Sequence, residues 1–301
     1  MPPSKESLFL TDLFKLFGTK FPANGDPFLT RCVYDQVHTA AAEVPGCHYE
    51  SAVVAGRPCL WIYPPEASKK HVVLFFHGGG FSFGSPNGHR KLAAHLAAQC
   101  NAISLSLDYR LTPDHPFPAA IEDCIAAYTW LLDNGYSAKN IVFAGDSCGG
   151  GLSTTVPLAL RERSLPLPGA SVSLSPWYDA TYSQPSFQSN VGKDFINTLE
   201  GCTANADKYV AGGTAKTHPL VSPLFADLQG LNPHWISCAG DDMLRDDGVL
   251  LGEKAKAAGV EVVVEVHPDQ QHVFEFMAGR APEADASLKR IGEWVRGKIG
   301  S

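Results

Sequence analysis

The chain has 301 residues, of which 45% are apolar, so it is long and apolar enough to bury a large core in one or two domains. Its 24 Lys and Arg residues against 31 Asp and Glu residues give a formal net charge of -7. A surface with this charge offers no general attraction to nucleic acid or to an anionic membrane, so we expect no nucleic-acid partner. The eight cysteines include no CxxC pair, which argues against a zinc ribbon and favours free thiols.

The N-terminal segment predicts the first element. Apolar residues recur at near-helical spacing over residues 5–17, with the charged Asp12 and Lys15 between them, which predicts an amphipathic helix packed on its own domain. These charges and the lack of a small-residue cleavage site are not typical of a secretory signal. No apolar run approaches the roughly 18 residues of a transmembrane helix. We therefore expect a cytoplasmic protein without an integral membrane segment.

A β-hairpin and then alternating strands and helices follow along the chain. Residues 50–55 and 58–63, separated by Gly56 and Arg57, predict the hairpin. Apolar strands are predicted at 72–76, 102–107, 141–144, 170–175, 234–239 and 260–266, and helices near 88–99, 117–133, 149–162, 245–258 and 283–298. This alternation predicts the α/β class: a mostly parallel sheet of about eight strands with helices on both faces and the first pair antiparallel.

The segment 180–218 interrupts this alternation. It contains no strand-like run, but it contains several aromatic residues and a predicted helix around 202–211. So long an insertion in a compact α/β domain is usually a lid or a binding element. We predict a single domain over residues 1–301, in which residues 1–45 and 180–218 form a helical cap over the catalytic core.

A GxSxG sequence, GDSCG at residues 145–149, lies between a predicted strand and a predicted helix. This context is the one that a nucleophile elbow requires. The elbow places its serine on a strained turn so that the hydroxyl stands clear of the sheet, and its glycines leave room for neighbouring backbone. Ser147 is therefore the candidate nucleophile. A phosphate-binding loop is disfavoured because neither GxxxxGK[ST] nor GxGxxG occurs.

The loop after the strand at 234–239 offers candidates for the acid of a catalytic triad. A serine nucleophile needs a base and an orienting acid, which in this kind of fold follow later strands in the order Ser, Asp or Glu, His. The aspartates in this loop are Asp241, Asp242, Asp246 and Asp247. We favour Asp242, with Asp241 in reserve, and expect Asp246 and Asp247 to cap the helix that begins there.

The loop after the strand at 260–266 offers two histidines for the base. His267 abuts the strand end and precedes Pro268, whereas His272 lies farther along the loop, before an apolar Val-Phe pair that can anchor it. We favour His272 and interpret His267 as a polar end of the strand.

The HGGGF sequence at 77–81 directly follows a predicted buried strand. When a hydroxyl adds to a carbonyl, the charge on oxygen needs backbone N–H donors within about 3 Å, and glycines let the backbone come that close. The predicted oxyanion donors are the N–H groups of Gly79, Gly80 and Cys148. The candidate substrate-binding residues are Phe81, Phe83 and Tyr178, which with Trp177 are expected to lie under the cap.

Six motifs together resemble the hormone-sensitive-lipase-like branch of the α/β-hydrolase fold, a family of carboxylesterases. They are HGGGF at 77–81, DYRLTPDHPFPAAIEDC at 108–124, GDSCGG at 145–150, SPLFADLQGLNP at 222–233, GDDMLRDDG at 240–248 and HVF at 272–274, and they extend over residues 72 to about 295. The resemblance implies Ser147 as nucleophile, Asp242 as acid and His272 as base. It also implies small to medium acyl esters as substrates and no cofactor or metal.

Two further expectations come from the same resemblance. The segment from Asp108 to Arg110 is expected to hold the loops around the site without doing chemistry. Cys148 departs from the family, in which alanine is common at this position. Because only its backbone N–H is needed, we expect activity to survive, but a thiol beside the serine predicts sensitivity to thiol reagents.

We therefore expect a serine carboxylesterase that forms an acyl-enzyme intermediate with a small-molecule ester. Two alternatives stay open: a hydrolase or acyltransferase dedicated to one metabolite, such as a lactone or an acetylated natural product, and a non-catalytic small-molecule receptor. Receptors on this fold lack the catalytic histidine, whereas His272 is present here. The edge strands and the last helix of such a fold can also pair in a homodimer.

Overall fold

A single mixed sheet forms the centre of the protein in the computed structural model, which describes residues 2–21 and 26–299. Residues 1 and 22–25 of the predicted cap element 1–45 lie outside the described residues, as do residues 300 and 301. The described strands are β1 His48–Val54, β2 Arg57–Tyr63, β3 Val72–Phe76, β4 Ile103–Leu107, β5 Ile141–Asp146, β6 Ala170–Leu174, β7 His234–Ala239 and β8 Val262–His267.

The sheet has the order β1-β2-β4-β3-β5-β6-β7-β8. β1 pairs antiparallel with β2, and β2 pairs antiparallel with β4, whereas every later pairing is parallel. The predicted mostly parallel sheet with an antiparallel first pair is confirmed, with strand ends moved by at most two residues. Strands β3, β4 and β5 are buried along their whole length, which explains the continuous apolar sequence of β3.

Helices cover both faces of this sheet. They are α1 Lys5–Lys20, α2 Pro27–Tyr34, α3 Pro86–Gln99, α4 Ala119–Asp133, α5 Cys148–Glu162, α6 Ser186–Ser189, α7 Leu199–Tyr209, α8 Arg245–Ala257 and α9 Pro282–Ile299. In β3, Val73 and Phe75 pack in the core under α3 and α9, whereas Leu74 and Phe76 pack in the core under α4 and α5. Successive side chains of β3 therefore point to opposite faces of the sheet, and each face packs in its own apolar core.

Helix α1 packs its predicted apolar face against the core that it shares with α3 and α9. The Ser4 hydroxyl caps the helix by accepting the N–H of Ser7, and Ser4 also donates to the carboxylate of Glu283 in α9. Phe14 is only 2% exposed in the core shared with α3 and α9. Within the part of the chain that the structure describes, no helix is long and apolar enough to cross a membrane.

The insertion at 180–218 contains the two helices α6 and α7. Helix α7 begins at Leu199, earlier than the predicted start near residue 202, because the hydroxyl of Thr198 accepts the N–H of Gly201 and caps it there. The insertion runs from the end of β6 to the segment before β7, so it lies at the carboxyl ends of the parallel strands. In open α/β sheets this edge is where ligands bind.

We expect Phe14→Ala to lower the free energy of unfolding by about 3 to 5 kcal/mol, because it removes a buried ring and leaves a cavity in the core. Urea unfolding followed by circular dichroism measures this loss. Leu16→Ala is the matched control in the same helix, since Leu16 is 51% exposed. Equal stability of the two variants would show that α1 is not part of the cooperative core.

Candidate active site

Ser147 occupies the turn between β5 and α5 with a backbone conformation that few side chains adopt. Its φ of 54° and ψ of -122° place it in the left-handed half of conformational space. Its N–H donates to the carbonyl of Leu174 at 2.9 Å, and its carbonyl accepts the N–H groups of Gly151 and Trp177, both at 3.0 Å. Three backbone hydrogen bonds therefore hold the strained turn that the GxSxG sequence predicted.

The glycine after the turn has no room for a side chain. A Cβ built on Gly149 would collide with the carbonyl oxygen of Phe76 at the end of β3. Helix α5 can therefore begin directly above the sheet only if this position is glycine. The sequence requirement at the elbow is thus steric, as predicted.

His272 and Asp242 form a buried pair beside this turn. Nδ1 of His272 lies 2.7 Å from Oδ2 of Asp242, and the second carboxylate oxygen accepts the N–H of Leu244 at 2.8 Å. Burial by itself lowers the pKa of His272, but the charge and hydrogen bond of Asp242 outweigh burial and raise this pKa to about 9. Ser147 and His272 line the same cavity, so the three residues selected from the sequence are brought together.

The alternatives that the sequence offered lie elsewhere. His267 ends β8, where its Nε2 lies 3.4 Å from the Glu265 carboxylate, and burial lowers its pKa to about 4. The N–H of Asp241 donates to the Gln270 carbonyl, whereas it is the carboxylate of Asp242 that reaches His272. The His267 ring is therefore not paired with Asp242, and the Asp241 carboxylate is not paired with His272.

Asp246 and Asp247 do not cap α8, so that prediction is wrong. Both lie in the first turn, but no side chain caps this helix. The Asp247 carboxylate accepts the N–H groups of Tyr178 and Asp179 at 2.8 and 2.9 Å. The Asp246 carboxylate accepts the N–H of Ser186 at 2.9 Å. These two carboxylates therefore fasten the start of the insertion and the residues just before it to α8 instead of capping their own helix.

Two side chains, Asp146 and Tyr109, hold the HGGGF loop by hydrogen bonds. The Asp146 carboxylate accepts the N–H of Gly78 at 3.0 Å, and its other oxygen lies 3.4 Å from Nε2 of the buried His89. The Tyr109 hydroxyl donates to the carbonyl of His77 at 2.6 Å. This contact gives the segment from Asp108 to Arg110 the supporting position that the resemblance implied.

Gly79 has a φ of 116°, and a Cβ there would collide with the carbonyl of Phe83. Only glycine fits this tight turn, in which Gly79 and Gly80 line the cavity that also holds Ser147. Cys148 is the first residue of α5, so its N–H has no partner within the helix. The three predicted oxyanion donors thus lie on the two backbone segments beside the serine.

The Cys148 side chain points away from the cavity into the core. It is fully buried, and its sulfur accepts the N–H of Phe81 at 3.3 Å. Burial raises the pKa of this thiol to about 12, so it is neutral at ordinary pH. Because the thiolate is the reactive form, this burial argues against the expected sensitivity of Cys148 to thiol reagents.

The cavity above Ser147 has a volume of about 420 Å³. Its lining comes from α1, α2, the HGGGF loop and the insertion, and includes Phe21, Tyr34, Phe83, Trp177, Tyr182, Ile196 and Asn205. Of the three candidate substrate-binding residues, only Phe83 lies on this wall.

Phe81 and Tyr178 lie behind the cavity wall, contrary to the prediction. Phe81 stacks on Tyr209 of α7, with ring centroids 3.7 Å apart. Tyr178 is 0% exposed and donates its hydroxyl to Ser173 in β6 at 2.7 Å. The sequence analysis missed Tyr34 and Asn205, which also line the cavity, and of the two only Asn205 fell in a predicted helix.

A serine, a histidine held by a carboxylate and a loop of glycines around one cavity can perform acyl transfer. Among residues 2–21 and 26–299, no group of three or more His, Cys, Asp and Glu side chains is arranged to hold a metal ion.

We expect kcat/KM for ester hydrolysis to rise with pH until about pH 9. A general base must be neutral, and the raised pKa of His272 keeps the ring protonated until about 9, so activity increases as the proton is lost. Initial rates at low substrate concentration between neutral and alkaline pH measure the profile, with circular dichroism at each pH as the control for unfolding. A midpoint near the ordinary value of roughly 6.5 would contradict this electrostatic environment.

We expect iodoacetamide to affect wild type and Cys148→Ala equally, because the neutral, buried Cys148 thiol is inaccessible to it, whereas the partly exposed Cys202 that lines the cavity is present in both. Cys148→Ala serves as the matched control for alkylation at the exposed Cys32. Faster inactivation of the wild type than of this variant would contradict the prediction.

Comparison with known proteins agrees with this geometry. Residues 73–276 match a family model described as the alpha/beta hydrolase fold. An acetyl-hydrolase of Streptomyces hygroscopicus is 33% identical over 277 residues, which make up 92% of this chain and 92% of that protein.

Solved structures agree as well. The crystal structure of an esterase from the bacterial hormone-sensitive lipase family has a TM-score of 0.95 at 38% identity and covers 100% of both chains. The structure of EstE5 soaked by p-nitrophenyl butyrate has a TM-score of 0.91 at 34% identity, covering 99% of this chain and 100% of that one. The chain therefore belongs to the α/β-hydrolase-fold family, in its hormone-sensitive-lipase-like branch.

Proposed function

We propose that the chain cleaves carboxylic esters of short to medium acyl length, with Ser147 as nucleophile, His272 as base and Asp242 as acid. The hydrogen bond between His272 and Asp242, beside a cavity that Ser147 also lines, is the observation that carries the proposal. Family membership and relatives named as esterases support ester hydrolysis.

The reaction proceeds by two acyl transfers. His272 takes the proton of Ser147 as its oxygen attacks the ester carbonyl, and the N–H groups of Gly79, Gly80 and Cys148 donate to the resulting oxyanion. The alcohol leaves with the proton from His272, and the acyl group stays on Ser147. Water then repeats these steps and releases the acid. Asp242 orients the imidazole ring and stabilises its cation.

The cavity supports the proposed acyl length. Its volume of about 420 Å³ suits a small or medium acyl group but not a long, extended chain that stays wholly enclosed. The relative from Streptomyces is named an acetyl-hydrolase, and the EstE5 structure was soaked by a butyrate ester. Both names favour the short end of the acyl range.

We further propose that the predicted cap closes this cavity. Phe21 and Tyr34 of the N-terminal element line it together with the insertion. The ammonium of Lys15 in α1 lies 4.4 Å from the ring centroid of Phe195 in the insertion. Arg31 of α2 donates to the carbonyl of Ser82 in the loop that follows HGGGF. These contacts join both cap elements to each other and to the site.

A hydrolase dedicated to an acetylated metabolite is the second candidate, favoured by the acetyl-hydrolase name of a relative that covers 92% of this chain. It would use the same residues but prefer one alcohol. The homodimer and the cytoplasmic location expected from the sequence stay predictions.

We expect p-nitrophenyl ester hydrolysis to be greatest at short or medium chains when acetate to palmitate are compared. Ser147→Ala should lower turnover on the order of 10⁶-fold, because the nucleophile is lost. The control is Ser164→Ala, which removes a serine at the end of α5, outside the site. Equal activity of wild type and Ser147→Ala would overturn the mechanism. Wild-type activity on none of these esters would favour the dedicated hydrolase, and acetylated alcohols would then be assayed.

A further inference from the structure

One turn of the insertion lies between the two loops that carry Asp242 and His272. We call residues 190–197 the clamp segment. It follows α6 and ends just before α7, and the sequence alone gave it no role beyond membership of a cap. Its side chains and backbone form hydrogen bonds to both loops.

The clamp segment binds the loop of Asp242 through two side chains. The amide of Asn190 donates to the carbonyl oxygens of Gly240 and Asp242, at 3.0 and 2.7 Å. The carboxylate of Asp194 accepts the N–H of Met243 at 3.0 Å. The backbone on either side of the Asp242 side chain is thus fixed by the insertion.

The clamp segment also binds the loop of His272. The side chain of Gln271, the residue before His272, accepts the N–H of Phe195 at 3.2 Å and donates to the carbonyl of Lys193 at 2.9 Å. The residues on both sides of Asp194 are therefore attached to the histidine loop. Asp194 itself is attached to the acid loop.

The Asp194 carboxylate is almost completely enclosed and fully hydrogen-bonded. It is 7% exposed, and its oxygens accept the N–H groups of Ile196 and Asn197 at 3.0 and 2.9 Å and the Asn197 amide at 3.0 Å. The same amide lies 3.5 Å from Oδ1 of Asp242. Burial, together with the neighbouring charge of Asp242, raises the pKa of Asp194 to about 6.

A second carboxylate beside Asp242 is unfavourable for the fold by itself, because burial and like charge both oppose ionisation. Its hydrogen bonds offset that cost and fix the relative positions of three chain segments. Triad groups need such fixation, since a displacement of about 1 Å can cost about 10²-fold in rate.

We propose that Asp194 is a positioning residue for the triad, which holds the Asp242 loop and the His272 loop in register through the clamp segment. It does not line the cavity, so it acts through Asp242 and His272 and not on the substrate. This inference rests on the proposed function, because it assigns a role within the same site.

The charge of Asp194 also acts on His272. The ionisable groups that face the imidazole are Asp242, Asp194, Asp146 and Glu275. The first three raise the pKa of His272 as carboxylates, and Asp194 is ionised wherever His272 titrates. Replacing Asp194 by a neutral residue therefore lowers the pKa of His272 and moves the acid limb of kcat/KM to lower pH.

The test compares Asp194→Asn with the wild type by kcat, KM, the pH profile of kcat/KM and thermal unfolding. Asparagine has the same shape but only one acceptor oxygen, so two of the four hydrogen bonds are lost. We expect kcat to fall by about 10- to 10²-fold, KM to change little, and the acid limb to move to lower pH.

Asp179→Asn is the matched control. Asp179 is a buried aspartate directly before the insertion, and its carboxylate binds the residues of its own turn, Thr181, Ser183 and Gln184. We expect a comparable loss of stability without a shift of the acid limb. The same kcat loss and the same limb shift in both variants would overturn the proposal.

Gln271→Met tests the other attachment and decides the matter if Asp194→Asn fails to fold. It removes both hydrogen bonds to the clamp segment but no charge, so we expect a lower kcat with an unmoved acid limb. Wild-type kcat in this variant, or in Asp194→Asn where that variant folds, would overturn the positioning role. Ser147→Ala distinguishes failure of the proposed function from failure of the positioning role. If Ser147→Ala stays fully active, the proposed function fails. If Ser147→Ala is inactive but Asp194→Asn is fully active, only the positioning role is refuted.

Discussion

The strained backbone at Ser147 is the constraint on which the rest of the site depends. A serine with a φ of 54° is strained, and such a conformation persists only where the surrounding structure holds it. Here the N–H of Ser147 donates to β6, and its carbonyl accepts N–H groups from α5 and from Trp177. This turn also requires the absence of a side chain at Gly149, because the end of β3 lies against it. The two strands that flank β5 therefore both contact this turn, β6 through Leu174 and β3 through Phe76.

Two separate supports surround this turn. Below it, Asp146 and Tyr109 hold the HGGGF loop from the central strands, so the proposed oxyanion donors belong to the rigid core. Beside it, the clamp segment holds the loops of Asp242 and His272 from the insertion. One half of the proposed chemistry is thus supported by the central strands and the other half by the insertion.

The sequence predicted those features that local patterns determine. Continuous apolar runs marked the buried strands, and the steric needs of GDSCG and HGGGF marked the elbow and its loop. Features that depend on contacts distant in sequence were not predictable: Asp247 resembles a helix cap until Tyr178 and Asp179 are seen to donate to it, and Asp194 is one polar residue in an irregular segment. Trp177 faces the cavity while the adjacent Tyr178 is buried behind it, and residue type could not distinguish them.

The insertion has an internal division with an evolutionary consequence. Its first half, up to Asn197, is bonded to the loops of Asp242 and His272 and also lines the cavity through Tyr182 and Ile196, whereas α7 adds Gly201, Ala204 and Asn205 to the cavity wall. Substitutions in α7 can therefore reshape the proposed acyl pocket while the loops of Asp242 and His272 keep their positions. A scaffold divided in this way can acquire new substrates by drift in one helix, and a library for directed evolution of this chain would vary α7 and keep the clamp segment constant.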